Sequence, residues 1–246
     1  MTHTPDITRP PCDIVEKLGA LGAATVAGTL GHMGIRNPHM QGPVSWSPGK
    51  AIAGPALTLQ FLPKREDLYG EGEYADPEKQ LHRHVLYHVQ AGDVVVVDAR
   101  SDMTAGVFGD MMLTYFAGRG GAGVVIDGCI RDYPNAKDLD LGLWIRGLTP
   151  NFHTQTDLMP FAVNGPVACG GALVMPGDII VADDDGAVVV PVALAERVIQ
   201  QASEHHDWED FSRERLAAGG DLRRYYPLMD AARAEYEEWK GKRRGG

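Results

Sequence analysis

Apolar and polar positions follow one another along this chain with a period that changes, and each change marks an element. Residues 11–21 set Ile14, Leu18 and Leu21 at helical spacing, and residues 25–33 predict a second helix. Residues 51–62 (AIAGPALTLQFL) read as a strand with a Gly-Pro break, followed by a charged, glycine-containing loop at 64–76 (KREDLYGEGEYAD) able to serve as a lid. Residues 77–90 predict a helix that opens on Pro77 and closes before Gly92. The Gly92-Asp93 turn then introduces VVVVDA, a continuous apolar run typical of a strand buried on both faces.

A helix at 110–117 and a strand at 123–127 come next, with a turn at Gly128. Beyond residue 143 the pattern shortens to strands and turns. Residues 173–191 (LVMPGDIIVADDDGAVVVP) carry a hairpin signal, two apolar runs joined by Asp-Asp-Asp-Gly. The likeness of AGDVVVVDA to PGDIIVADD is too weak to define a repeat fold. Residues 192–218 are helical and increasingly charged, and the remainder reads as surface helix and tail. The mixture predicts an α/β fold with strands in more than one sheet.

Composition narrows the function. With 246 residues and 44% apolar content the chain can bury a full core. Its net charge of −10 argues against a nucleic-acid surface, and the basic cluster at 240–244 reads as a solvated tail. The three cysteines are odd in number, far apart and free of any CxxC, so neither a disulfide framework nor a thiolate zinc site is expected. No basic segment precedes an apolar run, and no apolar run approaches the roughly 18 residues of a membrane span. The expectation is a soluble, unprocessed, cytoplasmic protein.

The densest chemistry lies in GDMMLTYFAGRGGAGVVIDGCIRD, from Gly109 to Asp132. Asp110 is an N-cap candidate that would leave the amides of Met111 and Met112 free for an anion. Arg131 offers a planar fork for a carboxylate, and Asp132 a hard oxygen for a divalent cation. Spacing alone favours a plain helix cap at Asp110 and a surface ion pair between Arg131 and Asp132. The GRGGAG within this stretch matches a dinucleotide fingerprint by letter, yet it follows a helix and opens a strand, the reverse of that context. Its glycines are expected to end the helix and permit close packing. His82, His84 and His88 lack the Glu of HExxH and are expected to be surface or partly buried helix residues, with His205 and His206 solvated. Asp183, Asp184 and Asp185 read as a turn, and no serine elbow, cysteine-nucleophile signature or strand-embedded lysine is present.

The segment from Gly109 to Asp132, with IAGPALTL before it and PGDIIVADDDGAVVVP after it, resembles the RraA-like family. That family includes the class II 4-hydroxy-4-methyl-2-oxoglutarate/4-carboxy-4-hydroxy-2-oxoadipate aldolases and the protein regulators of ribonuclease E. The resemblance implies a swivelling β/β/α sandwich at 11–200 with a helical extension at 201–246, assembled as homotrimers or homohexamers with active sites between subunits. It further implies that Asp132 is the direct protein ligand of Mg²⁺ or Mn²⁺ and that Arg131 grips a small 2-oxo acid and its enolate. Asp110 would hold a water that exchanges a proton with that enolate, with Gly109, Met111 and Met112 at the substrate carboxylate. Glu209, with Glu204 in reserve, would be the carboxylate contributed by a neighbouring subunit. The implied activity is retro-aldol cleavage of a 4-hydroxy-2-oxo acid to pyruvate, with oxaloacetate decarboxylation beside it. The alternatives are a non-catalytic regulator that masks a ribonuclease, or a lyase or dehydratase acting on another hydroxy-oxo or sugar acid. Two departures from the aldolases stand out: Ala27 and Gly28 in AATVAGTL, where many relatives carry an acidic residue or histidine, and the long 64–76 loop and C-terminus.

Overall fold

The computed structural model describes residues 4–69, 76–153 and 156–244, apart from the side chains of 204–206 and 244. The chain divides into two compact units, Met1–Glu196 and Arg197–Gly246. Among the described residues, no helix is long and apolar enough to cross a membrane.

The first unit begins with α1 (Cys12–Gly19) and α2 (Ala23–His32) and a short strand β1 (Val44–Ser45). The long β2 (Ile52–Pro63) leads through a 3-10 turn at Pro77–Lys79 into α3 (Leu81–Tyr87) and then β3 (Val94–Gly106). Next come α4 (Asp110–Gly118), β4 (Gly123–Ile130), α5 (Tyr133–Ala136) and β5 (Gly142–Leu148). The short strands β6 (Leu158–Val163), β7 (Val167–Cys169) and β8 (Ala172–Val174) precede the hairpin of β9 (Ile179–Asp183) and β10 (Gly186–Val190).

Strands β2, β3, β4 and β5 are parallel neighbours, each joined to the next through a helix as parallel pairing requires. The sheet runs β1-β5-β4-β3-β2-β9-β10, with β6 also on β2. Its two faces follow from the strand period. Leu57, Leu59, Val95, Val97, Val124 and Ile126 point to one side, where they pack with Val85 and Leu86 of α3 and Leu113 and Phe116 of α4. The residues between them, Ala56, Val94, Val96, Val125 and Trp144, point to the other and pack with Cys169, Val174, Ile180 and Val189.

The glycine run between α4 and β4 does what its context implied. Gly120 lies at φ +84° past the end of α4, and a side chain on Gly121 would overlap the Phe116 ring. A Cβ on Gly123 would stand 2.5 Å from Ile52 Cδ1 and 2.8 Å from the Gly142 carbonyl. The aspartate run is the hairpin turn expected of it: the Asp185 amide donates to Asp183 Oδ1, while Asp183 Oδ2 accepts from the Ala23 amide at the start of α2.

Three boundaries differ from the sequence reading. The turn expected at Gly128 is part of β4, which continues through it to Ile130. The helix expected over 77–90 is a 3-10 turn capped by Asp76, then α3 alone. Strand β3 continues past the apolar run to Gly106, through Arg100 and Ser101 in the left-handed region at φ 60° and 59°. The irregular register there carries the polar segment 100–104 without ending the strand.

The second unit follows α6 (Ala195–Ala217), which begins at the close of the first, with α7 (Leu222–Tyr225) and α8 (Asp230–Arg244). Phe211 is its fully buried centre, edge-on to Tyr225, Tyr236 and Trp239 at 5.7–5.9 Å between ring centroids.

Candidate active site

The site is built where β3 and β4 end. Two backbone bonds clamp the two chain segments together, Val107 N–H to the Cys129 carbonyl and Arg131 N–H to the Phe108 carbonyl, both 3.0 Å, and a third ties Gly106 N–H to the Asn151 carbonyl at 3.0 Å. So tight an approach needs glycine on one side. A Cβ on Gly106 would lie 3.0 Å from Arg131 Cβ, and one on Gly109 would lie 2.7 Å from Asp132 Oδ2 and 2.9 Å from Arg131 Nε. Gly106 and Gly109 thus make the room that Arg131 and Asp132 occupy.

Asp132 is held in the left-handed region at φ 58°, one of the few places a residue other than glycine tolerates, and from there it opens α5. Its carboxylate caps nothing in that helix and stands 3.4 Å from Arg131 Nε, with both side chains about one-third exposed. The Arg131 guanidinium lies over the Phe152 ring at 5.7 Å. Beyond Arg131 opens a cavity of about 200 Å³ whose walls also include Gly109, Met111 and Met112.

Asp110 departs from the expected cap. Gly109 is the N-cap of α4, and Asp110 is the first helical residue. Its Oδ1 accepts from the Met111 amide at 2.8 Å and its Oδ2 from Asn135 Nδ2 at 2.9 Å, tying α4 to α5. The Met112 amide turns back to the Gly109 carbonyl at 3.2 Å. The two amides read as free donors therefore have partners within the chain, because an aspartate at the first helical position reaches its own neighbour's N–H. Glu209 stands in the second unit and lines a recess there with Ser212, Arg213 and Tyr226; the side chain of Glu204, like those of His205 and His206, lies outside the described residues.

The rest of the lining was not expected at the cavity. It includes His82 and Arg83 of α3 and His153. His82 and His153 pack ring to ring, centroids 4.1 Å apart and nearly edge-on, and the Tyr69 hydroxyl lies 3.3 Å from His153 Nε2. Burial pushes His82 well below the usual histidine range, with the neighbouring His153 adding to the effect. Burial likewise lowers His153 to about 4, helped by the positive charges of Arg131 and Lys64. Both imidazoles are neutral near pH 7. His82, expected at the surface or partly buried, is buried, and a signal for this was present: it occupies the first position of the buried stripe His82, Val85, Leu86, Val89. His84 is buried too, its Nε2 2.9 Å from the Glu78 carbonyl, and His88 Nε2 lies 2.8 Å from Thr4 Oγ1, so the three helix histidines have different partners. Among the described residues, no group of three His, Cys, Asp or Glu side chains could hold a metal together.

The model of the RraA-like family, described as Aldolase/RraA, matches residues 12–189. This chain belongs to the RraA-like family. A family relative from Halalkalibacterium halodurans named "Putative 4-hydroxy-4-methyl-2-oxoglutarate aldolase" is 38% identical over 164 residues, covering 67% of this chain and 70% of the relative. The crystal structure of Streptomyces coelicolor RraAS2, described as an unusual member of the RNase ES inhibitor RraA protein family, superposes with a TM-score of 0.76 at 44% identity, covering 84% of this chain and 98% of that one. A Pseudomonas syringae pv. tomato protein shares the RraA-like fold at a TM-score of 0.76 and 24% identity over 93% of this chain and 100% of its own.

Proposed function

We propose that this RraA-like protein is a divalent-cation-dependent lyase that cleaves a small 4-hydroxy-2-oxo acid to pyruvate and decarboxylates oxaloacetate at the same site. The observation that carries this reading is the pairing of Asp132 with Arg131, which lines the cavity, with two glycines making room for them.

The donor set suits one kind of cation. A single, partly exposed carboxylate cannot cage a metal, but it fits Mg²⁺ or Mn²⁺, which take one or two protein carboxylates and fill the remaining positions with water and substrate oxygens. A cation on Asp132 would polarise the 2-oxo group of the substrate as a Lewis acid. Arg131 binds the acid's carboxylate and stabilises the negative charge that develops on the C2 oxygen. In the retro-aldol direction a base takes the proton of the 4-hydroxyl, the C3–C4 bond breaks, and its electron pair passes into the enolate of pyruvate. Asp110, fixed by Asn135, would hold the water that exchanges a proton with that enolate. Oxaloacetate reaches the same enolate by losing CO₂ and needs no base. Glu209 of a neighbouring subunit, in a trimer or hexamer, is the residue we assign to the 4-hydroxyl proton.

The test is pyruvate formation by EDTA-stripped protein from oxaloacetate and from 4-hydroxy-4-methyl-2-oxoglutarate, with and without Mg²⁺ or Mn²⁺. Metal-restored turnover of both is expected. Turnover of oxaloacetate alone would retain the site and move the substrate to another hydroxy-oxo or sugar acid, and silence on both would end the lyase reading. The identity with RraAS2 and the net charge of −10 favour a second reading, a regulator that covers a basic patch of a ribonuclease. Inhibition of an RNase E-type enzyme that survives Arg131→Ala would support it.

A further inference from the structure

The cavity adjoins a second recess. A volume of about 210 Å³ lies along α3 and α4 and shares Arg83, Met111 and Met112 with the cavity that Arg131 lines. The rest of its lining is Leu86, Tyr87 and Tyr115. Each helix contributes a pair one turn apart, Arg83 with Tyr87 on α3 and Met111 with Tyr115 on α4, so each turns one face to the recess. Leu86 and Met112 belong to the core on the helix-bearing side of the sheet, whereas large apolar side chains beside them are left in solvent: Met111 is 74% exposed, and Tyr87 and Tyr115 are each 44% exposed. Apolar surface gathered in this way is stabilised by whatever covers it.

The occupant follows from the lining and from what the recess adjoins. No acidic side chain lines it, and apart from the Arg83 guanidinium and two phenol hydroxyls its surface is hydrocarbon and thioether, so a hydroxylated chain would lose water for few partners. An aromatic ring has suitable partners there in the tyrosine rings, the methionine thioethers and a guanidinium able to stack on its face. Size agrees, because a cavity of about 150 Å³ already holds benzene. With Arg131 on the 2-oxo acid end, the substituent on C4 is the part of the substrate free to enter. We propose that the recess along α3 and α4 is a subsite for an aryl group on C4, so that the substrate class is the 4-aryl-4-hydroxy-2-oxo acids, cleaved to pyruvate and an aromatic aldehyde. The balance is that of the retro-aldol above: the 4-hydroxyl loses its proton, the C3–C4 electron pair passes into the enolate, C4 leaves as the aldehyde carbonyl, and one proton returns to C3. The proposal rests on that reading, in which Arg131 takes the 2-oxo acid.

The experiment is calorimetric titration of the full chain, with Mg²⁺ present, against 2-oxobutanoate, 4-cyclohexyl-2-oxobutanoate and 2-oxo-4-phenylbutanoate, which share the 2-oxo acid and lack the 4-hydroxyl that cleavage needs. The phenyl compound is expected to bind about tenfold more tightly than 2-oxobutanoate, as burial of one ring gives, with the cyclohexyl compound between them. Tyr115→Ala should remove most of that advantage and leave 2-oxobutanoate binding within about twofold. Tyr87→Ala, read the same way, serves as the test should Tyr115→Ala fail to fold. A wild type without the preference, or a preference that survives both substitutions, overturns the subsite; survival accompanied by a change in the mass of the assembly by light scattering would make this face a contact between copies instead. A cyclohexyl compound that binds as tightly as the phenyl one overturns the aryl assignment. If 2-oxobutanoate binds and Arg131→Ala abolishes that binding, the lyase reading stands without the subsite, and failure of all three acids to bind overturns the two together.

Discussion

Two aspartate–arginine pairs sit at the same end of the parallel strands, and they are opposites. Asp127 and Arg146 pair on the sheet face away from the helices, with Asp127 only 6% exposed at its side chain. Its two oxygens also accept from the Ser101 hydroxyl at 3.2 Å, and Arg146 Nη2 donates to the Gln41 carbonyl at 3.0 Å. Both carboxylate oxygens of Asp127 and two nitrogens of Arg146 are used inside the chain. Arg131 and Asp132 are looser, about one-third exposed, set beside glycines and turned toward open space. A pair that satisfies itself holds a structure together, whereas one left partly unsatisfied beside a cavity is poised for something else to bind.

Substitution should separate the two. Asp127→Ala strands a largely buried guanidinium and is expected to cost about 3–5 kcal/mol, read as a large loss in denaturant midpoint. Arg131→Ala should leave that midpoint almost unmoved yet lower pyruvate release by roughly 10²–10³. If Arg131→Ala unfolds the protein, or Asp127→Ala is stable and inactive, the contrast is wrong.

Acid should expose the histidine wall next. His153 titrates near 4 when folded and near 6.5 when unfolded, so the unfolded chain takes up its proton first as pH falls. Stability is therefore full above about pH 7, declines from there toward pH 4, and loses on the order of 3 kcal/mol to this group. His82 acts in the same direction. His153→Gln should flatten the dependence of melting temperature on pH; an unchanged slope would remove the buried pair from the account. Smaller still is Gly109→Ala, expected to cost about 1–3 kcal/mol in stability as its methyl meets Asp132 and Arg131. Part of that strain should be relieved by Asp132→Gly in a double-mutant cycle.

Much of this was legible beforehand. The apolar run of β3 announced a strand buried on both faces, the Asp-Asp-Asp-Gly turn announced its hairpin, and the strand-opening glycines argued against a nucleotide loop. Arg131 and Asp132 stood out because of the company they keep in sequence. What escaped depended on three dimensions. Asp110 moved from cap to first turn because Gly109 took the cap. Strand β3 outran its apolar run because a distortion at Arg100 and Ser101 let polar residues continue the pairing. The histidine wall was hidden because His82 and Arg83 join Arg131 in one cavity lining only after the chain between them has folded, although the stripe through Val85 and Leu86 already pointed His82 inward.

Strand β2 bears on how such a chain leaves the ribosome. Its residues Ala56 to Gln60 pair with β3, about forty residues later, yet Ile52 to Pro55 pair with β9, which emerges only after the whole parallel array is made. Through that interval one edge of β2 carries an apolar run with open backbone donors and acceptors, the surface that recruits wrong partners. Synthesis rate across residues 150–183, and chaperone occupancy during it, should therefore set the yield of folded protein more than any single contact in the finished molecule.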